Sequence, residues 1–198
     1  MAQVPFVGLT GGLGAGKTTA LEALERLGAA TLSTDAVVHE LYATDEVRAA
    51  VVARWGAGVA PGGIVDRAAV AASAFATPEE RAWLEGELWP RVRRRVAAWR
   101  EEVARRDPPP AAAIVETPLL FEAGMDAIYD ATIAVVADEN VRAERAAARG
   151  HVATAERAAR QLSQEEKARR ATFTVHNGAT VAELERELSA VLDRLRGP

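Results

Sequence analysis

The chain is predicted to fold as an α/β protein with a five-stranded parallel sheet flanked by helices, and three observations predict this. A short apolar run, Phe6-Val7-Gly8-Leu9-Thr10, ends in glycines and reads as a buried strand. A helical segment follows over 17–27, with Leu21, Leu24 and Leu27 at helical spacing and Gly28 as its cap. A second apolar run, Ala29–Leu32, comes next, so the chain opens as strand, Gly-rich loop, helix, strand.

The remaining elements follow the same logic. Residues 35–107 read as helical almost throughout, broken by the Gly/Pro-rich stretch Gly56–Gly63. Thr77 reads as the N-cap of a helix opening at Pro78. Arg91–Arg106 reads as a charged amphipathic helix, stopped by Asp107-Pro108-Pro109-Pro110 because proline supplies no N–H and disfavours helix in the residue before it. This block is too long for a simple crossover and predicts an inserted subdomain. Ala111–Val115, ending at Glu116-Thr117-Pro118, is the third strand, and Ala131–Ala137 the fourth. Asn140–Arg149, Ala155–Gln161 and Glu165–Ala171 form an Arg-rich helical segment, Phe173–His176 the fifth strand, and Val181–Leu195 an amphipathic closing helix.

Composition bounds the function. The 198 residues suit one compact domain, or a core with insertions, and 49% apolar content is enough to bury a full core. A net charge of −4 makes nucleic acid an unsuitable partner. The absence of cysteine excludes disulfides, thiolate metal sites and cysteine nucleophiles. No apolar run is long enough to span a membrane, and the opening Met1-Ala2-Gln3-Val4-Pro5 has no positive region of the signal-peptide kind, so the expected location is the cytoplasm. Of the 24 basic residues only Lys17 and Lys167 are lysine, a hint that each stands where a compact point charge is needed. His39, His151 and His176 are scattered and read as structural.

Gly11-Gly12-Leu13-Gly14-Ala15-Gly16-Lys17-Thr18 fits G-x-x-x-x-G-K-[ST], with a strand before it and a helix after it. Its glycines let backbone N–H groups converge on phosphate oxygens, and the helix N-terminus points further N–H groups at the same anion. Gly12, Gly14, Ala15, Gly16, Lys17, Thr18 and Thr19 are therefore the expected nucleotide-binding residues, with Lys17 reaching the β- and γ-phosphates and the Thr18 hydroxyl on Mg²⁺. The fold type is then that of a P-loop NTPase. A dinucleotide-binding reading fails, because G-x-G-x-x-G is absent and a lysine beside the phosphates signals a triphosphate. A GTPase would need Asn-Lys-x-Asp and Asp-x-x-Gly, and neither occurs. The remaining reading is a small-molecule kinase using ATP and Mg²⁺, with a core at 1–34, 111–138 and 172–198, an acceptor-binding helical region at 35–110 and a lid at 139–171.

Asp35 follows the second strand, at the sheet edge that lines the crevice in such folds. It can accept a proton from an attacking hydroxyl, or it can cap the helix beginning at Ala36. Glu116 ends the third strand and can hold Mg²⁺ through water or be a solvated strand end. Arg142, Arg145 and Arg149 recur at spacings of three and four, followed by Arg157 and Arg160. They can neutralise a transferring phosphate from a lid, or form a solvated face paired with Glu139, Glu144 and Glu156.

Gly8 to Thr18, with Asp35 before a helix, resembles the opening of dephospho-CoA kinases. Pro118-Leu119-Leu120-Phe121-Glu122 resembles that family's segment after strand three, Arg145-x-x-x-Arg149 its lid entry, and Gln161, Glu165-Glu166-Lys167 and Asn177-Gly178 its C-terminal signature. The resemblance implies ATP-dependent phosphorylation of the ribose 3′-hydroxyl of dephospho-CoA, the last step of coenzyme A biosynthesis. It implies Asp35, Lys17 and Arg145 as catalytic residues, Arg149 and Asn177 at the nucleotide, the latter in an adenine pocket, and Asp35, Pro118, Leu119, Leu120 and Arg157 at the acceptor. Ser33-Thr34-Asp35 stands where the family usually has Asp-Ala-Asp, and Trp89-Pro90 where His-Pro is common. The alternative within the same class is a kinase for a nucleoside monophosphate, shikimate or gluconate; outside it, a nucleotide-binding regulatory protein.

Overall fold

The structure is a computed structural model and describes residues 4–148, 161–178 and 180–197. The chain divides into two compact units, one made of residues 1–33 and 100–198, the other of 34–99.

The first unit contains a five-stranded, wholly parallel sheet: β1 (Phe6–Gly11), β2 (Ala30–Ser33), β3 (Ala113–Glu116), β4 (Ala131–Val136) and β5 (Phe173–His176), in the order β2-β3-β1-β4-β5. The α/β expectation is borne out. Every residue of β1, β3 and β4 is buried, which is why these strands read as unbroken apolar runs rather than as alternation. The edge strands β2 and β5 are only partly covered. β2 starts one residue later than its apolar run because Ala29 is used otherwise. Its N–H bonds the Leu24 carbonyl at 2.9 Å while the Gly28 N–H bonds Glu25 at 2.9 Å, the paired closure that ends α1 (Lys17–Arg26).

Two helices supply one wall of the core. α1 buries Ala20, Leu21, Ala23 and Leu24, and the C-terminal helix Val181–Leu195 buries Leu184, Leu188, Val191 and Leu192 against Val7, Leu9, Ile133, Val135 and Val175. Each fully buried leucine there contributes roughly 2 kcal/mol by removing apolar surface from water. That C-terminal helix begins with a capping box: Glu183 N–H donates to the Thr180 hydroxyl (3.2 Å) and the Glu183 carboxylate accepts from Thr180 N–H (3.0 Å). These bonds from Thr180 hold the Glu183 carboxyl below the usual carboxylate range.

The second unit is helical: α2 (Thr34–Tyr42), α3 (Asp45–Trp55), α4 (Arg67–Ala74) and most of α5 (Pro78–Ala104). Its core gathers Val47, Val51, Val59, Val70 and Leu88, with Trp55 and Trp83 edge to face at 5.0 Å. Thr77 caps α5 as expected, its hydroxyl accepting from Glu80 N–H at 3.3 Å. The Glu80 carboxylate takes two bonds from Arg54 (2.9 and 2.7 Å) and one from the Trp55 indole (2.7 Å), and the Arg54 contact holds its pKa low. The expectation of a separate helix from Arg91 needs correction, because α5 runs unbroken through Pro90. Proline in a helix interior costs about 3 kcal/mol. Leu88, Val92, Val96 and Trp99 form one buried stripe on both sides of it, and the carbonyl left without its donor belongs to exposed Gly86. Burial of that stripe offsets the cost.

Candidate functional site

The loop between β1 and α1 is built by groups that seize its carbonyls. Lys17 Nζ donates to the Gly12 carbonyl (3.3 Å), Arg142 Nε to Leu13 (3.0 Å), and Asn177 Nδ2 to Ala15 (2.9 Å). In a trans peptide the C=O and the following N–H point in opposite directions. Fixing the carbonyls of Gly12, Leu13 and Ala15 therefore turns the N–H groups of Leu13, Gly14 and Gly16 away from Lys17, Arg142 and Asn177. Ala15 N–H is the exception, since it closes a turn onto Gly12 O at 3.2 Å. The first-turn N–H groups of α1, including those of Thr18 and Thr19, have no partner within the helix by its geometry. These backbone donors gather at the N-terminus of α1, the kind of place that favours an anion.

Gly16 shows how closely the loop is held. Its φ is +86°, and a Cβ there would lie 1.9 Å from Asn177 Nδ2. Gly16→Ala is expected to push the Asn177 amide off Ala15 and to weaken ATP binding at least about tenfold, by opening the cradle and forcing a conformation that L side chains resist. Titration calorimetry with ATP checks this.

Asn177 is one of the groups that hold this loop. It is buried, its N–H bonds Val136 O (2.8 Å), its carbonyl accepts from Arg145 Nη1 (3.1 Å), and its amide faces the loop. Its amide ties the phosphate loop at Ala15 to the end of β5. Arg145 lies at the same brace, and Arg142, one turn earlier in α6 (Glu139–Ala148), lies across Gly12 and Gly14. Arg142 holds the phosphate loop from α6, a place that spacing alone does not single out from those of Arg145 and Arg149. Arg149, Arg157 and Arg160 lie outside the described residues. A cavity of about 310 Å³ opens beside Gly12 and Leu13, lined by Arg142, Gln161, Ser163 and Glu165 among others.

At the carboxyl ends of β2 and β3, register partners Ser33 and Glu116 are joined by a 2.8 Å bond from the Ser33 hydroxyl to Glu116 Oε2. The Glu116 carboxylate is buried, not a solvated strand end. Asp35, in the other unit, is exposed and sits in the first turn of α2, which already starts at Thr34. The capping alternative therefore needs correction: Asp35 is inside the helix.

After β3, Pro118 and Leu119 are partly exposed, but Leu120 is fully buried. Gly8 makes room for it; a Cβ on Gly8 would lie 2.5 Å from Leu120 Cδ1 and 2.7 Å from the Tyr129 ring. Leu120 is a core residue, which corrects the expectation that its side chain meets the acceptor. The described residues contain no cluster of three His, Cys, Asp or Glu side chains. The Thr18 hydroxyl and the Glu116 carboxylate are hard oxygen donors of the kind Mg²⁺ takes one or two at a time alongside substrate phosphates, so the residues present fit the ion.

The chain matches the dephospho-CoA kinase family profile over residues 5–183. A dephospho-CoA kinase of Deinococcus radiodurans is 38% identical, covering 96% of this chain and 91% of its own, and one of Anaeromyxobacter dehalogenans is 38% identical over 96% and 92%. Among solved structures, a Thermus thermophilus protein superposes with a TM-score of 0.79 at 34% identity, covering 98% of this chain and 99% of its own. The dephospho-CoA kinase of Campylobacter jejuni, at 21% identity and a TM-score of 0.64, shares the fold. With the phosphate loop intact and the likeness running nearly end to end, the chain belongs to the dephospho-CoA kinase family.

Proposed function

We propose that the protein transfers the terminal phosphoryl group of ATP to the ribose 3′-hydroxyl of dephospho-CoA, giving CoA and ADP, the last step of coenzyme A biosynthesis. The observation that carries this is the phosphate loop between β1 and α1, its carbonyls held by Lys17, Arg142 and Asn177, in a chain similar to this family over nearly its whole length.

In this reading, Lys17 and the loop N–H groups hold the triphosphate and offset charge on the γ-phosphoryl oxygens. The Thr18 hydroxyl, with the Glu116 carboxylate through water, is the protein's share of the Mg²⁺ shell. Mg²⁺, when bound, supplies positive charge to the phosphate oxygens. Asp35 orients the acceptor hydroxyl and takes its proton late, as a loose transition state requires. Arg145, with Arg149 and Arg157, supplies cations from a lid over 139–171, which also keeps water from the γ-phosphate. Residues 35–110 and the segment opening at Pro118 and Leu119 hold the acceptor. Residues 1–34, 111–138 and 172–198 form the nucleotide core. Cytoplasmic location goes with this reading, since ATP is its donor.

Coupled ADP release tests it. Dephospho-CoA is expected to give rapid, acceptor-dependent ADP formation, and AMP and shikimate at the same concentration only background. Faster turnover with AMP or shikimate would assign another kinase. ATP binding without ADP formation from any of the three would make the chain a nucleotide-binding regulator.

A further inference from the structure

Lys167, the second of the chain's two lysines, is fully buried in the short helix α7 (Gln164–Arg170), and nothing in the mechanism above uses it. Its Nζ donates to the Pro118 carbonyl at 2.6 Å, pairs with Glu122 Oε1 at 2.9 Å and lies 3.4 Å from Thr10 Oγ1. Thr10 in turn donates its hydroxyl proton to Pro118 O at 3.3 Å. Glu122 Oε1 also accepts from Leu162 N–H at 2.8 Å, while Oε2 is buried with no hydrogen-bond partner among the described residues.

A buried ion pair is weak as a source of stability, because taking both charges out of water consumes what their attraction returns. The burial lowers the Lys167 pKa, and only Glu122 opposes that. Apolar side chains of the same volume would anchor α7 at least as well. What a single ammonium group provides, and an apolar residue does not, is a fixed meeting point for three oxygen atoms from two parts of the chain, one at Thr10 and two in the segment 118–122.

That meeting point lies at a fork. β1 and β3 are neighbours, and among the described residues the last backbone bond between their chains runs from Thr117 N–H to Leu9 O at 2.8 Å. Beyond it the β1 chain passes through Thr10 into the phosphate loop, and the β3 chain turns at Pro118 into the 118–122 segment. Helix α7 is itself held at the same edge of the sheet. Gln164 clasps the residue after β4 in both directions, accepting from Ala137 N–H (3.1 Å) and donating to Ala137 O (2.9 Å).

We propose that Lys167 is a positioning residue for phosphoryl transfer, its ammonium fixing the spacing between the chain that enters the phosphate loop at Thr10 and the segment that opens at Pro118. Glu122 is its counter-charge and fixes the direction of approach. The inference rests on the kinase reading, in which the first chain holds the donor and the second the acceptor. A displacement of about 1 Å between reacting groups costs on the order of 100-fold in rate, so the effect belongs in kcat.

The test is steady-state kinetics with ATP and dephospho-CoA on the full chain, with Lys167→Met, Lys167→Arg and Glu122→Gln. Each is assayed well below the melting temperature that circular dichroism gives for it. Lys167→Met is expected to lose about 100-fold in kcat per folded molecule while both KM values stay within about threefold. Lys167→Arg keeps the charge but spreads its donors over a planar fork, and is expected to lose about tenfold. Glu122→Gln combined with Lys167→Met should be no slower than Lys167→Met alone, because the two act through one junction. A kcat within about twofold of wild type in Lys167→Met, with only a lowered melting temperature, overturns the proposal; should that variant not fold, the same result in Lys167→Arg does so. Wild-type protein inactive on dephospho-CoA would instead remove the kinase reading.

Discussion

Asp35→Asn is expected to bind ATP within about twofold of wild type and to lose about 10³ in turnover, within the range a positioned proton acceptor supplies. Asparagine keeps the shape and the hydrogen-bonding reach of the side chain but cannot take the proton from the acceptor hydroxyl. Loss of fold does not account for such an effect. Asp35 is exposed in the first turn of α2, where its charge favours the helix by about 0.3–1 kcal/mol at most. ATP titration calorimetry alongside single-turnover kinetics separates the two quantities. Turnover near that of wild type would assign the proton to another group.

Lys17→Ala is expected to lose about 10² to 10³ in kcat/KM, the magnitude found when one preorganised donor is removed from a site of developing negative charge. Two effects combine here. The ammonium proposed to offset phosphate charge is gone, and the Gly12 carbonyl loses its 3.3 Å bond, which frees the loop to relax. Lys17→Arg should recover little, because a planar guanidinium does not reproduce a compact point charge. The measurement is kcat/KM for ATP at saturating acceptor, with melting temperature as the control for folding.

Much of this was legible in the sequence because local rules and the tertiary fold agree. The G-x-x-x-x-G-K-T spacing, the apolar runs of β1 and β4, and Thr77 before Pro78 each specify their structure within a few residues. The closing helix follows from the same kind of short-range pattern. What stayed hidden depends on long-range placement. Nothing near Lys167 in the chain tells that its side chain ends under Pro118, 49 residues away in sequence. The rarity of lysine and the Glu165-Glu166-Lys167 signature mark the residue without telling where its side chain ends. The Asn177 amide meets Ala15 across 162 residues, and no pattern around Asn177 separates bracing a loop from lining a pocket. Leu120 sits in a segment that reads as functional, yet Gly8, far away in sequence, opens the space that buries it. Pro90 shows the reverse case, a local helix breaker overridden because Leu88, Val92, Val96 and Trp99 form a single stripe across it.

This chain is expected to move a phosphoryl group from ATP onto dephospho-CoA. Mass spectrometry of the acceptor after incubation with protein, ATP and Mg²⁺ tests that directly. The predicted result is conversion to a species heavier by one phosphoryl group and indistinguishable from CoA, in step with ADP and absent in Lys17→Ala. Unmodified dephospho-CoA after complete consumption of ATP would contradict it.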